Sequence, residues 1–475
     1  MEKDMSQADP LGRAAGSALL TDLYELTMLQ AYFRADMNQT AVFEFFVRSL
    51  PEQRNFLMAA GLQQVMSYLT TLHFSQDDLR YLRDSAQFDT AFLASLHNFA
   101  FSGEVEALAE GSIFFAGEPV LRISAPLREA QLIESRLINL LQLQTMVASK
   151  AARSVLVAPG KRLVDFGMRR AHGAEAGLLS ARASYLAGFD GSSTVLAGQL
   201  FGIPVFGTMA HSFIQTHDFE SEAFAAFARC YPANATLLID TYDSEAAAQK
   251  VIQVAQWLQQ EEGIRINAVR IDSGDLASVA LRVRQILDAG DCHHIGIFAS
   301  GNLDEYALQA LLQNGAPIDG FGIGTRMNTS ADAPYLDCAY KLVEYAGLPR
   351  RKRSSGKQTW PGRKQTFRHY DSNGIMRGDT LGLAGEQLAG VPQLQTVMRA
   401  GQALSTAPSL AQIRAHARTQ LASLPAALRT LASLAPAQKY PVTISEGLQQ
   451  LSEKVDERQR TLAAIDQERW GDDAG

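Results

Sequence analysis

Between residues 162 and 325, six short apolar runs ("RLVDFGM", "GIPVFGT", "ATLLIDT", "NAVRIDS", "HIGIFAS" and "DGFGIGT") alternate with helix-sized segments. A strand followed by a helix of this size returns parallel to its predecessor, so repeated β/α units build a mostly parallel sheet covered on both faces. Each run ends in small or polar residues. In barrels of such units, ligands are handled at the carboxyl ends of the strands, in the loops that follow them. The expected centre of the molecule is therefore an irregular α/β barrel over residues 151–340 that carries the active site.

The flanks read differently. From Leu19 onward, Leu23, Leu26, Leu29, Tyr32 and Phe33 recur at helical spacing, with Thr21 and Asp22 as capping candidates. "AVFEFFVRSLP" is a β-rich run ending at proline, and helical patterning continues to about residue 100. A strand group with glycine turns follows over 101–126, and then a long helical stretch. The expected organisation is a flexible tail (1–18), an N-terminal α+β domain (19–150) completed by part of 340–400, and the barrel (151–340). A basic loop returns the chain to the N-terminal domain (341–400), and a helical C-terminal region (401–475) completes it.

Composition narrows the function classes. The 475 residues are 47% hydrophobic and carry a formal net charge of −7, which argues against nucleic acid or a membrane surface as the main partner. Cys230, Cys292 and Cys338 have no spacing that suggests zinc or a disulfide framework. The first eighteen residues lack an apolar signal core, and no apolar run is long enough to span a bilayer, so a cytoplasmic protein is expected.

The strand ends collect a set of polar residues: Asp165, Arg169 and Arg170; Thr208 and His211; Asp240, Thr241 and Asp243; Arg270, Asp272, Ser273 and Asp275; Ser300, Gly301 and Asn302; Gly322, Gly324 and Thr325. "SGN" and "GFGIGT" suit phosphate recognition, because glycine lets backbone amides approach an anion closely. "RIDSGDL" reads either as a salt-bridged turn with Asp275 as a helix cap, or as a site where carboxylates hold sugar hydroxyls or Mg2+ while arginine meets an anion. His211, in "VFGTMAHSF", reads either as a satisfied histidine at the rim of a core or as a group that carries chemistry.

These pieces occur in an order that resembles one enzyme family. "LLTDLYELTMLQAYF", "FEFFVRSLP", "DFGMRRAHG", "FGTMAHSF", "VRIDSGDL", "FASGN", "FGIGT" and "KQTWPGRK" are similar to the motifs of nicotinate phosphoribosyltransferase, over most of residues 19–370. The resemblance implies a homodimer with shared active sites, in which nicotinate attacks C1 of phosphoribosyl pyrophosphate. It also implies Mg2+ and ATP hydrolysis coupled through a phosphohistidine at His211, an activity classed among ligases although its chemistry is glycosyl transfer. By the same match, Arg270, Asp272 and His211 are catalytic. Arg169 joins Arg270 in the anion region, Asp272 faces the ribose, and Gly301, Asn302, Gly324 and Thr325 cradle the 5′-phosphate. Tyr24 and Phe166 flank the pyridine ring, with Thr208 near it. The basic loop 349–364 resembles a segment near the active site.

Two neighbouring activities compete. Nicotinamide phosphoribosyltransferases carry an aspartate where this chain has Ser193 in "FDGSSTVLAG", and a carboxylate there would repel anionic nicotinate. Ser193 therefore favours nicotinate, although Asp190 lies close in sequence. Quinolinate phosphoribosyltransferases share the architecture, but a second substrate carboxylate calls for more basic residues. A third reading is a non-catalytic scaffold that kept the fold.

Overall fold

The computed structural model describes residues 17–471, so the tail expected over 1–18 falls almost wholly outside the described residues. Helix α1 (Leu23–Arg34) buries Leu26 and Leu29. Asp22 occupies its N-cap position, but no side-chain cap forms there. The Asp22 carboxylate instead accepts from Ser135 Oγ at 2.6 Å, and Thr21 donates to the Leu132 carbonyl at 3.4 Å. The two expected caps are docking contacts between helices.

β1 (Thr40–Val47), β2 (Glu104–Ala107) and β3 (Pro119–Pro126) pair antiparallel with β3 in the middle. Helix α2 (Glu134–Val157) then links the two large cores. Its first half (Leu137, Leu140, Leu141) packs into the N-terminal core, and its second half (Val147, Ala148, Ala151, Ala152) into that of the barrel.

The barrel sheet consists of β4 (Arg162–Asp165), β5 (Gly191–Ser192), β6 (Thr236–Leu238), β7 (Ala268–Ile271), β8 (Gly296–Ala299) and β9 (Gly320–Ile323). The order is β5-β4-β9-β8-β7-β6, parallel throughout. Helices α3 (Ala174–Ala187), α4 (Ser244–Glu262), α5 (Leu276–Ala289) and α6 (Glu305–Gln313) connect the strands. Asp243, Asp275 and Asp304 cap α4, α5 and α6 with their side chains, which gives two of the strand-end carboxylates a structural use.

One expected strand is absent. "GIPVFGT" forms only a single bridge, Val205 to Ser192, and the strand at that station is the two-residue β5. Pro204 has no N–H to give to a ladder, and glycines flank the run at 202 and 207. The sheet therefore ends at β5 on one side and at β6 on the other.

β10 (Cys338–Tyr345) returns to pair along β1. β11 (Lys364–Tyr370) and β12 (Met376–Leu383) form a hairpin, and β13 (Gln395–Arg399) pairs along β2. The tail is less uniformly helical than expected. α7 (Leu410–Ser423) is followed by 3-10 turns, by β14 (Val442–Ile444) parallel to β12, and by α8 (Glu446–Gly471). Pro425, Pro436 and Pro441 interrupt the helical pattern, since proline inside a helix removes a hydrogen bond and clashes with the preceding turn.

Candidate active site

Arg270, near the end of β7, is the hub of the carboxyl rim. Its Nε donates to Ser300 Oγ at 2.8 Å, Nη1 to Thr208 Oγ1 at 2.9 Å, and Nη2 to Asp272 Oδ1 at 3.2 Å. Ser300 Oγ donates in turn to Asp272 Oδ1 at 2.5 Å. The guanidinium stands 5.4 Å from the centroid of the Phe166 ring, which places a cation against an aromatic face. Residues from the ends of β4, β7 and β8, and Thr208 from the loop that replaces the missing strand, thus converge on one group whose position alternation alone would not locate.

Beside this hub, Gly301 has φ +99°, and a Cβ there would lie 2.1 Å from the Asp272 carbonyl oxygen. Asn302 follows with φ +51°. Gly324 brings the next loop to within 3.0 Å of the Phe166 carbonyl, measured from the position a Cβ would take. Gly301–Asn302 and Gly324–Thr325 therefore lie on adjacent loops after the paired strands β8 and β9, as amides that cradle an anion would.

His211 opens a short helix, His211–Gln215, and its Nδ1 lies 3.1 Å from Thr241 Oγ1, beyond the end of β6. Where Nδ1 carries the proton of that bond, Nε2 keeps its lone pair. His217, just past the end of that helix, is tied back to it instead, with Nδ1 2.8 Å from the Phe213 carbonyl oxygen.

Two candidates are not drawn into this group. Arg169 lies in the exposed turn Met168–Arg170 with no side-chain partner among the described residues. Tyr24 sits on α1, 46% exposed, beside Glu25 and Ser135 of the N-terminal domain. Burial pushes the Glu25 carboxyl up to about 7 against the hydrogen bonds from Gln131 and Tyr24, with the charges of Glu134 and Asp22 adding to the rise.

Ser193 follows β5, and its N–H donates to the Asp165 carbonyl at 2.8 Å. Asp190 faces away. Its Oδ2 accepts from the Leu163 N–H at 2.9 Å, its Oδ1 lies 3.2 Å from Arg414, and its side chain lines a cavity of about 580 Å3 at the amino ends of the strands with Arg162 and Asp319. The carboxylate near Ser193 in sequence is thus engaged elsewhere in space.

Two strand-end aspartates to which the resemblance gave no substrate role, Asp165 and Asp240, and one residue outside the strand-end set, Asn328, shape the site. Asp165, fully buried, accepts from Gly167 N–H, Ser192 Oγ and Asn328 Nδ2 at 2.8, 2.9 and 2.8 Å, joining three loops. Desolvation raises its pKa, and these donors work against that rise. Asp240 accepts from Asp272 N–H at 2.9 Å and Ser273 Oγ at 2.6 Å, while its Oδ1 is buried without a partner. Both aspartates close apolar runs ("LVD", "LLID"), a signal that marks them as strand ends. Asn328 carries no such signal, because only the turn after Gly324 aims it at Asp165. Among the described residues, no group of three or more His, Cys, Asp or Glu could hold a metal by itself.

Comparison with known proteins covers all these regions. The nicotinate phosphoribosyltransferase N-terminal domain pattern matches residues 19–142, the nicotinate phosphoribosyltransferase family pattern 161–346, and the C-terminal domain pattern 389–452. The chain is 49% identical over 430 residues to the nicotinate phosphoribosyltransferase pncB2 of Mycobacterium tuberculosis, covering 90% of this chain and 92% of that protein. It is 35% identical to nicotinate phosphoribosyltransferase of Homo sapiens, covering 94% and 98%. The crystal structure of human nicotinic acid phosphoribosyltransferase superposes with a TM-score of 0.82 at 33% identity, over 92% of this chain and all of that one. The crystal structure of nicotinate-nucleotide pyrophosphorylase from Pyrococcus furiosus gives 0.71 at 25% identity, over 89% and 98%.

Proposed function

The chain belongs to the nicotinate phosphoribosyltransferase family, and from that premise we propose that it forms nicotinate mononucleotide and pyrophosphate from nicotinate and phosphoribosyl pyrophosphate, a step in NAD biosynthesis. The observation that carries this reading is the Arg270 hub, a guanidinium held by Ser300, Thr208 and Asp272 against Phe166 at the barrel rim. The pyridine nitrogen lone pair forms the new bond to C1 as the C1–oxygen bond breaks and its electron pair leaves with pyrophosphate. Positive charge develops on the ribose and negative charge on the leaving group, so fixed charges and orientation are the main catalytic means. Arg270 would stabilise the departing pyrophosphate, Asp272 would face the ribose, and Phe166 would stack on the pyridine ring. Ser193 leaves the pyridine carboxylate without a like charge opposite it.

ATP coupling through His211 is part of the same proposal. Nε2 would attack the γ-phosphorus, ADP would leave, and the added charge would sit beside the pyrophosphate region until hydrolysis restores the imidazole. The donor chemistry fits Mg2+ held mainly through substrate phosphates with one or two carboxylates, for which Asp240, with its unpartnered Oδ1, and Asp272 are available. Bound there, Mg2+ would offset charge on pyrophosphate. A cytoplasmic homodimer whose partner lends Tyr24 to the site accords with Tyr24 being 46% exposed, its own-chain partners Glu25 and Ser135 lying in the N-terminal domain.

The test is an assay of purified protein with nicotinate, nicotinamide or quinolinate, each with and without ATP. Nicotinate should be turned over with strong preference and ATP should accelerate it. Equal use of nicotinamide, or no product from any of the three, would overturn the reading.

A further inference from the structure

The two loops assigned above to the 5′-phosphate are fastened together twice, at positions that no substrate atom needs to touch. Behind them, on α2, Lys150 is 2% exposed, and its Nζ lies 2.9 Å from Glu305 and 2.8 Å from Asp332. Glu305 is the first residue of α6, directly after the Gly301–Asn302 loop, and Asp332 ends the turn that follows Gly324–Thr325. Arg54 holds Asp332 from the other side at 2.9 Å.

In front, nearer solvent, Asp304 divides its carboxylate. Oδ1 caps α6 by accepting from the Ala307 N–H at 2.9 Å, and Oδ2 accepts from Arg326 Nη1 at 2.6 Å. Arg326 belongs to the short helix that begins at Thr325. One carboxylate thus anchors the first loop and reaches across to the second, and the Arg326 side chain remains 42% exposed.

Stability does not explain this expense of charge. A buried ion pair is roughly neutral against an apolar replacement, and a half-exposed pair contributes little. What such bridges do fix is distance. A phosphate held by backbone amides from two loops requires the gap between them to match its oxygens within about half an ångström.

We propose that Asp304 and Arg326 are positioning residues that set the gap between the two halves of the phosphate cradle, with Lys150 holding the same loops from behind. The inference rests on the reading of these loops as the 5′-phosphate site. It predicts selectivity: loosening the bridge weakens the phosphorylated sugar and leaves nicotinate alone.

Arg326→Gln should raise the Kd and KM for phosphoribosyl pyrophosphate about tenfold, with the KM for nicotinate changed less than about twofold. Arg326→Lys should recover part of the loss. Asp304→Asn keeps a side chain able to cap α6 but loses the ion pair, and it should match Arg326→Gln. The double variant should be no worse than either single one, because both remove the same interaction. Calorimetry with phosphoribosyl pyrophosphate supplies Kd, and Gly324→Val, which narrows the cradle itself, is the control. If Gly324→Val leaves Kd unchanged, the phosphate assignment fails and the positioning role fails with it. If Gly324→Val weakens binding but Arg326→Gln does not, the bridge alone is refuted. Asp304→Asn binding as wild type or tighter, beside a loss in Arg326→Gln, would make Arg326 a direct ligand and also overturn the proposal.

Discussion

On the side of the rim where β8 and β9 end, each strand pairs with neighbours on both sides, and the loops beyond them are tied to α2 through Lys150, Arg153 and Arg54. Where the barrel is left open, between the two edge strands β5 and β6, β5 has only two residues and the next station is a single bridge at Val205. The hydrogen bond from His211 to Thr241 reaches from the short helix after that bridge to the loop after β6. A single hydrogen bond of this kind contributes about 1 kcal/mol net, whereas breaking a buried ion network costs several. The difference is instructive. Proposed phosphate recognition requires fixed distances and receives a locked frame. The phosphoryl transfer proposed for His211 would require neighbours that can rearrange, and local structure with few ladder bonds is where such movement costs least.

The largest expected effect belongs to the open side. His211→Ala should abolish protein-bound label from γ-labelled ATP and reduce ATP hydrolysis by about a thousandfold or more, while slow ATP-independent product formation persists. His217→Ala should leave the label intact. Melting temperature should barely move in either variant, since neither histidine anchors the frame. Label retained at the wild-type level in His211→Ala would break the functional half of the contrast.

The locked side should respond in stability first. Burial opposes ionisation of Asp332, but hydrogen bonds and charge from Arg54 and Lys150 outweigh it and hold the carboxyl well below its ordinary value of 3.8. A carboxyl depressed in this way contributes stability that is complete above the unfolded pKa and is lost as pH falls through the folded one. Asp332→Asn should therefore cost about 3–5 kcal/mol by denaturant titration at pH 7, because it leaves the buried Arg54 without its carboxylate and Lys150 with Glu305 alone. The gap to wild type should narrow below about pH 4. A cost under about 1 kcal/mol at pH 7 would show that the frame is not locked by charge.

The smallest effect tests the edge of the open side. Ser193→Asp should lower kcat/KM for nicotinate about tenfold through like-charge repulsion and shift the preference toward nicotinamide. Unchanged selectivity would move the pyridine carboxylate away from β5.

Much of this was legible from the chain. Five of the six apolar runs are strands, because alternation between a β-rich core run and a helix-sized return dictates a parallel sheet whichever residues fill it. The strand-end rule also brought Arg270, Asp272, Ser300 and Thr208 to one list. It could not separate Asp272, in the hub, from Asp275, a helix cap three residues later, since both are carboxylates beside the same turn. The missing strand at "GIPVFGT" and the strand within the C-terminal tail both turned on prolines whose local effect depends on what lies alongside them.

Residue order thus determined the β/α rhythm, the polar strand ends and the glycines that permit close approach, because each depends on local backbone chemistry and on periodicity. Tertiary structure alone decided that Asp190 points to the amino end of the barrel while Ser193 stands near its carboxyl end, and that Asn328 reaches Asp165. It also decided that Lys150, Asp304 and Arg326 join two loops, across separations of 155 residues for Lys150–Glu305 and 22 for Asp304–Arg326. Such pairings follow from where whole elements come to rest when their apolar faces are buried, and no local stretch of sequence contains that information.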